Sequence, residues 1–330
     1  MGVRYGIIGS GRMGTHHARQ LQMIDDAMIV AVADVDVEVA RVLGNEVKAH
    51  VYGDYHEMLE REELDAVYLC TPVQTRVEQV EAIVKKHVNL YIEKPLADSI
   101  EHGERIVELV EQSGILCTVG FQWRYMDFVH KAKEIISDEP IALFVGRYYW
   151  TVPLVPWIRN RSQGGGQMFD QNIHMVDLAT YFNGPVREVY SAFTQKATIG
   201  EMENWDGYST TMMFENATVG NFYSTYALHP QIHEDPFIDI IQKNRLLRIT
   251  AGRLIVETPY KTENYMSQQF TGTINKEFHQ AVIGKNQDRI LAPVRDAFHT
   301  LKVVLAANYS ALNAKVVQVR ELNAFGLNNL

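Results

Sequence analysis

Hydrophobic and polar positions change their rhythm once along this chain. Up to about residue 121, short runs that are apolar nearly throughout alternate with longer amphipathic stretches. The runs at 4–9, 28–34, 65–70, 89–93 and 115–120 predict strands, and the stretches at 12–24, 37–43, 74–86 and 100–112 predict helices. Strands without a polar face are buried on both sides. Strands alternating with helices form βαβ units, so a parallel, doubly wound sheet of α/β class is expected. Beyond residue 121 a helix at 126–136 is followed by long strand-like stretches at 142–149, 186–197, 208–214, 218–227, 237–242, 246–250 and 253–257. Short turns such as Glu215–Ala217 join several of them, which indicates an antiparallel sheet. Helices at about 167–182 and 294–312 and a last strand at 316–319 complete an α+β second half.

Length and composition narrow this picture. A chain of 330 residues exceeds an ordinary single core. It is expected to divide into domains 1–122 and 123–330, with the helix at 294–312 free to pack back toward the first. Hydrophobic residues make up 46% and charged residues 22%, as in a globular protein, and the net charge is −9. An acidic balance without basic runs argues against nucleic acid or an anionic membrane as a partner. Cys70 and Cys117 each end an apolar run and read as buried, reduced thiols rather than a disulfide or metal framework. No apolar run is long enough to cross a bilayer, and the opening RYGIIGSGRMG reads as a strand and turn of the fold rather than a signal peptide. A cytoplasmic location is the expectation.

Candidate chemistry begins at that first turn. Gly9, Gly11 and Gly14 form a GxGxxG pattern after an apolar strand and at the start of a helix. In this context the first glycine permits the tight turn, the second admits a pyrophosphate and the third allows close helix–strand packing. Arg12 and Met13 lie inside the turn. Asp34 ends the next strand, twenty residues after Gly14. A carboxylate there accepts hydrogen bonds from a ribose 2′-hydroxyl and repels a 2′-phosphate, so NAD is favoured over NADP. Arg12 and Arg41 could partly offset that repulsion, and Asp34 could alternatively cap the following helix. Thr71-Pro72 follows another strand and is expected to flank the nicotinamide riboside. The first half therefore reads as a Rossmann dinucleotide-binding domain.

Two further features carry reactive groups. Glu93-Lys94-Pro95 ends a strand, and both Glu93 and Lys94 are expected to reach the cofactor. Within the predicted helix at 167–182, Asp170 and His174 are i and i+4 neighbours, with Asp177 continuing that face. Oxidation of an alcohol needs a base near neutrality, for which imidazole is suited; a carboxylate can orient it, and an ammonium can stabilise developing oxyanion charge. Taken alone, Asp170 and His174 equally fit a paired, exposed helix face.

The glycine pattern, Asp34, Thr71-Pro72, Glu93-Lys94-Pro95-Leu96, Gly120-Phe121-x-x-Arg124-Tyr125 and the Gly164–Asp177 stretch together resemble the Gfo/Idh/MocA family of glucose–fructose oxidoreductase and inositol dehydrogenase. The resemblance is collinear over nearly the whole chain. It implies a Rossmann domain followed by an α/β domain with a large open, mostly antiparallel sheet. It also implies Lys94, Asp170 and His174 as the catalytic group, with His174 the proton acceptor, Asp170 its partner and Lys94 the donor to the reacting hydroxyl. Association as a homodimer or homotetramer through the sheet follows from it too. One departure is that Arg76 stands where many members carry histidine.

For a sugar or polyol substrate, Trp157, Arg124 and His233 are the candidate contacts, although Arg124 could equally be structural. Tyr148 and Trp150 are expected to face the sheet core. His229 and His233 imitate metal spacing without a helix to align them, and no metal is expected. Of His16 and His17, one is expected at the cofactor edge and the other in solvent. The resulting expectation is an NAD-dependent dehydrogenase oxidising a secondary hydroxyl of a cyclic polyol, sugar or sugar derivative. The alternatives are an NAD-assisted glycosidase and a non-catalytic dinucleotide-sensing protein.

Overall fold

The computed structural model describes residues 2–136, 139–267 and 273–330. The helices are α1 (Arg12–Leu21), α2 (Val37–Val47), α3 (Tyr55–Arg61), α4 (Arg76–Lys85), α5 (Ile100–Ser113), α6 (Asp127–Ile136), α7 (Arg161–Gly164), α8 (Gly166–Asp170), α9 (Ile173–Asn183), α10 (Thr273–Gly284) and α11 (Val294–Asn313). The strands are β1 (Val3–Ile8), β2 (Ala27–Ala33), β3 (His50–Tyr52), β4 (Ala66–Leu69), β5 (Asn89–Ile92), β6 (Cys117–Val119), β7 (Leu143–Tyr149), β8 (Val186–Thr194), β9 (Gly207–Phe214), β10 (Val219–Thr225), β11 (Phe237–Ile241), β12 (Leu246–Thr250), β13 (Arg253–Glu257), β14 (Thr262–Met266) and β15 (Val317–Gln318). The chain divides into two compact units. The first comprises Met1–Asp98, His102–Tyr125 and Gln269–Phe298, and the second Ser99–Glu101, Met126–Gln268 and His299–Leu330.

In the first unit six strands run in the order β3-β2-β1-β4-β5-β6, all parallel. This is the doubly wound order expected from the sequence, in which ligands lie beyond the carboxyl ends of the strands. β4 is buried at every position and β5 at all but the first, in keeping with their nearly continuous apolar runs. Beneath the sheet's centre the rings of Tyr68 and Tyr91 stack at 4.5 Å, and Phe278 of α10 meets them edge-on at 5.8 and 6.0 Å. Full burial of each such ring stabilises the unit by roughly 1.5–3 kcal/mol. α10 and the short β3 and α3 are not foreseen in the sequence.

In the second unit nine strands run in the order β14-β13-β12-β11-β7-β10-β9-β8-β15. Among the described residues, β7 and β10 pair in parallel and the remaining pairs are antiparallel. Burial alternates along β9 and β10, so one sheet face is packed and the other is open. No helix among the described residues is long and apolar enough to cross a membrane.

Candidate active site

In the first unit the turn after β1 is shaped by close backbone approach. Gly9 has φ +91°, and a Cβ there would lie 2.7 Å from the Cys70 carbonyl carbon. At Gly14 a Cβ would lie 2.0 Å from the Gly9 carbonyl oxygen, so α1 can sit this close to the turn only without a side chain. Gly11 faces open space and caps α1 without any side-chain hydrogen bond, and the first turn carries no acidic residue. Its exposed N–H groups are thus available to an anion. Arg12 is exposed beside it and Met13 is half-buried.

Asp34 follows β2. Its Oδ2 accepts from the Ser10 N–H at 2.8 Å and its Oδ1 from the Asp36 N–H at 3.0 Å. The cap of α2 is Asp36 rather than Asp34: it accepts from the Glu38 N–H at the start of the helix. Asp34 is instead fixed against the glycine turn, and it is half-buried.

The turns after β4 and β5 are tied together. The Thr71 hydroxyl donates to Gln79 Oε1 at 2.6 Å. Arg76, 3% exposed, donates from Nε and Nη2 to the Thr71 carbonyl at 3.2 and 2.9 Å and from Nη1 to the carbonyls of Glu93 and Pro95. Burial lowers its pKa to about 10, which leaves it charged at neutral pH.

Glu93, 5% exposed, lies 2.8 Å from Nε2 of the equally buried His17 and accepts from the Lys94 N–H at 3.1 Å. His17 Nδ1 is 3.1 Å from Asn275 Oδ1. Burial alone would push the Glu93 carboxyl up; the His17 hydrogen bond and the charges of His17, Lys94 and Arg76 outweigh it and hold the group below the usual range. Lys94 is half-buried and precedes a cis Pro95.

In the second unit Asp170 ends α8 and His174 lies in the first turn of α9, both half-buried. The uninterrupted helix expected at 167–182 is broken between them. The Asn172 N–H reaches back five residues to the Gln167 carbonyl, and the His174 N–H three residues to that of Gln171. Asn172 pins the break to the sheet by donating to Ser224 Oγ at 2.8 Å. The Tyr226 hydroxyl is 3.5 Å from Asp170 Oδ2. Burial, reinforced by the Asp170 charge, pushes the Tyr148 hydroxyl up to about 12 and that of Tyr226 well above its usual value.

Residues 3–121 match the oxidoreductase family with an NAD-binding Rossmann fold, and residues 130–242 match the GFO/IDH/MocA C-terminal domain. A myo-inositol 2-dehydrogenase of Thermotoga maritima is 30% identical over 223 residues, 66% of this chain and 67% of that protein. The chain belongs to the GFO/IDH/MocA oxidoreductase family. A scyllo-inositol 2-dehydrogenase (NAD(+)) of Bacillus subtilis is 31% identical over 191 residues, so the match spans 55% of this chain and only 54% of that relative. Among solved structures, a probable dehydrogenase of Thermotoga maritima shares the fold with a TM-score of 0.83 at 23% identity, over 97% of this chain and 100% of that one. The WlbA dehydrogenase of Bordetella pertussis, solved with NADH and UDP-GlcNAcA, does so with a TM-score of 0.81 at 21% identity, over 96% and 99%.

As a GFO/IDH/MocA Rossmann domain, the first unit has the features that a dinucleotide needs. The glycine turn is open at Gly11, the first turn of α1 carries no negative charge, and Asp34 is oriented by two N–H groups. Thr71 and Pro72 stand at the carboxyl end of β4.

The Glu93 carboxylate is turned inward to His17. Arg124 is 1% exposed and donates to the Leu291 carbonyl and to Asp296 at 2.7 Å, so it braces the first unit, the structural role that the sequence also allowed. Asp177 is 1% exposed and accepts from the Thr300 hydroxyl at 3.3 Å, so it does not continue a reactive face. His16 is exposed, whereas His17 is enclosed rather than at a cofactor edge or in solvent. Trp150 is 45% exposed rather than in the sheet core, and Cys70 is only partly buried. Trp157 and His233 are exposed, and no His/Cys/Asp/Glu cluster among the described residues could hold a metal.

Gln79, Asn275 and Tyr226 were missed. For Tyr226 a signal existed: Phe222, Ser224 and Tyr226 alternate as the packed side of β10 and the residue just beyond it.

Proposed function

We propose that this protein is an NAD-dependent dehydrogenase that oxidises a secondary hydroxyl of a cyclic polyol, sugar or sugar derivative to a carbonyl. The observation that carries this reading is the glycine turn with Asp34 fixed against it, in a chain whose relatives include two inositol dehydrogenases. Bound NAD supplies the acceptor for the hydride leaving the carbinol carbon. His174 takes the hydroxyl proton, Asp170 supports the imidazole, and the Lys94 ammonium donates a hydrogen bond to the reacting oxygen. Tyr226 beside Asp170 helps to fix that carboxylate. Trp157 and His233, both solvent-accessible, are retained as substrate contacts. The open face of the nine-stranded sheet, where Tyr190 is 46% exposed, is the surface through which a homodimer or homotetramer would form.

The decisive test is an absorbance screen for NADH formation against inositols, aldoses, glycosides and sugar acids. Stoichiometric NADH from at least one of them is expected. Consumption of a glycoside without net NADH would replace the reading with an NAD-assisted glycosidase, and NAD binding without turnover of any of them would leave a sensing protein.

Asp34 gives a separate expected outcome. A charged acceptor of a hydroxyl contributes about 1.5–3 kcal/mol, so Asp34→Ser should weaken NADH binding by roughly 10- to 100-fold. NADPH binding should weaken far less, because the repulsion of the 2′-phosphate is removed along with the carboxylate. Fluorescence titration of both nucleotides checks this, and an unchanged NADH-to-NADPH ratio would contradict it.

A further inference from the structure

We propose that Arg76 is a positioning residue, a buried guanidinium that locks the turns after β4 and β5 to each other and thereby sets the place of Lys94. The proposal rests on the assignment of Lys94 to catalysis.

Arg76 opens α4, immediately beyond the Thr71-Pro72 turn. Its Nε and Nη2 converge on the Thr71 carbonyl at 3.2 and 2.9 Å. Its Nη1 takes the carbonyls of Glu93 and Pro95, the two residues that flank Lys94 in the chain. One planar fork therefore holds the backbone on both sides of Lys94 and ties it to the turn expected to flank the nicotinamide. Gln79, nearly one helical turn on, accepts the Thr71 hydroxyl at 2.6 Å, so α4 grips Thr71 through backbone and side chain alike.

The chemistry suits arginine in particular. Three carbonyls lie just beyond the carboxyl ends of two strands, where the ladder has ended, and a buried carbonyl left unmet is costly. A guanidinium presents its donors in fixed directions, so meeting all three carbonyls fixes the spacing between the turns. Lysine concentrates three rotatable donors at one point and cannot impose that spacing. With 3% of its surface exposed, Arg76 has no face left for a ligand, which separates positioning from direct binding.

The test is a double-mutant cycle on the full-length protein with NAD and the best polyol from the screen, using Arg76→Lys, Lys94→Met and the pair. A displacement of about 1 Å can cost on the order of 100-fold in rate, so Arg76→Lys should lower kcat by roughly 10- to 100-fold while the protein stays folded. In the Lys94→Met background the same change should add little, because the group it positions is gone. Equal losses in both backgrounds would overturn the proposal. Wild-type turnover in Lys94→Met would instead overturn the assignment of Lys94.

A second readout needs no turnover. Amide hydrogen exchange over residues 89–98 of the free protein should quicken in Arg76→Lys, and unchanged exchange there overturns the proposal. Arg76→Gln serves in the same assays should Arg76→Lys not fold. If neither folds, Arg76 is a requirement of the fold rather than a positioning residue, and the proposal is overturned.

Discussion

Replacing Lys94 by Met is expected to lower kcat on an oxidisable polyol by about 10²- to 10³-fold, and replacing His174 by Gln by about 10²- to 10⁴-fold, with NADH affinity nearly unchanged in both. The two losses arise differently. Lys94 provides a hydrogen bond that strengthens as the substrate oxygen gains negative charge, so its removal raises the barrier more than it weakens the ground-state complex. His174 receives the proton, so its removal leaves only water as acceptor. The pH profile separates these roles. The acidic limb of kcat/KM belongs to a base that must be unprotonated, and it should disappear in His174→Gln yet persist in Lys94→Met. Steady-state kinetics from acidic to alkaline pH, beside NADH titrations, provide the check. Turnover within tenfold of wild type in His174→Gln would remove it as proton acceptor, and an intact acidic limb would assign that limb to another group.

The readable parts of this sequence were those in which one residue type permits one backbone outcome. Gly9 and Gly14 are required by contacts that no side chain survives, and the apolar runs of β1, β4 and β5 have no polar face to expose. Elements whose residues satisfy weaker constraints were not readable. β14, TENYM, exposes or half-exposes every residue as an edge strand, and β3 has only three residues. Polar partners brought together across long separations were equally hidden: His17 meets Asn275 across 258 positions of sequence. Arg76 was visible only as a departure from the family pattern, because the carbonyls it holds come from two separate turns. In the second unit Asp170 and His174 were readable as a pair of residue types. The helix break between them depends on Asn172 reaching Ser224, a contact 52 residues away that helical spacing does not contain.

The buried Glu93 makes a demand on stability. Its carboxylate meets His17 and the Lys94 N–H in a site with almost no access to water, and Arg76 lies close enough for its charge to matter. Removing the carboxylate leaves the buried His17 ring and the Lys94 N–H without their acceptor, which typically costs about 1–3 kcal/mol, so Glu93→Ala should destabilise the first unit by roughly that amount at pH 7. At about 2–4 °C per kcal/mol for a domain of this size, thermal unfolding of that unit should begin several degrees lower. The pH dependence fixes the cause. Glu93 titrates lower in the folded protein than in the unfolded chain, so the native state binds its proton less readily. Its charge therefore contributes fully above the unfolded-state pKa of about 4.3, and the contribution is lost as pH falls through the lower folded-state pKa. The Tm gap between wild type and Glu93→Ala should narrow as pH falls below about 4.3, to what the lost packing alone accounts for. A gap that stays constant down to the acid limit of folding would mean that Glu93 stabilises the unit by filling space, and the account of Glu93 as a stabilising buried carboxylate would fail.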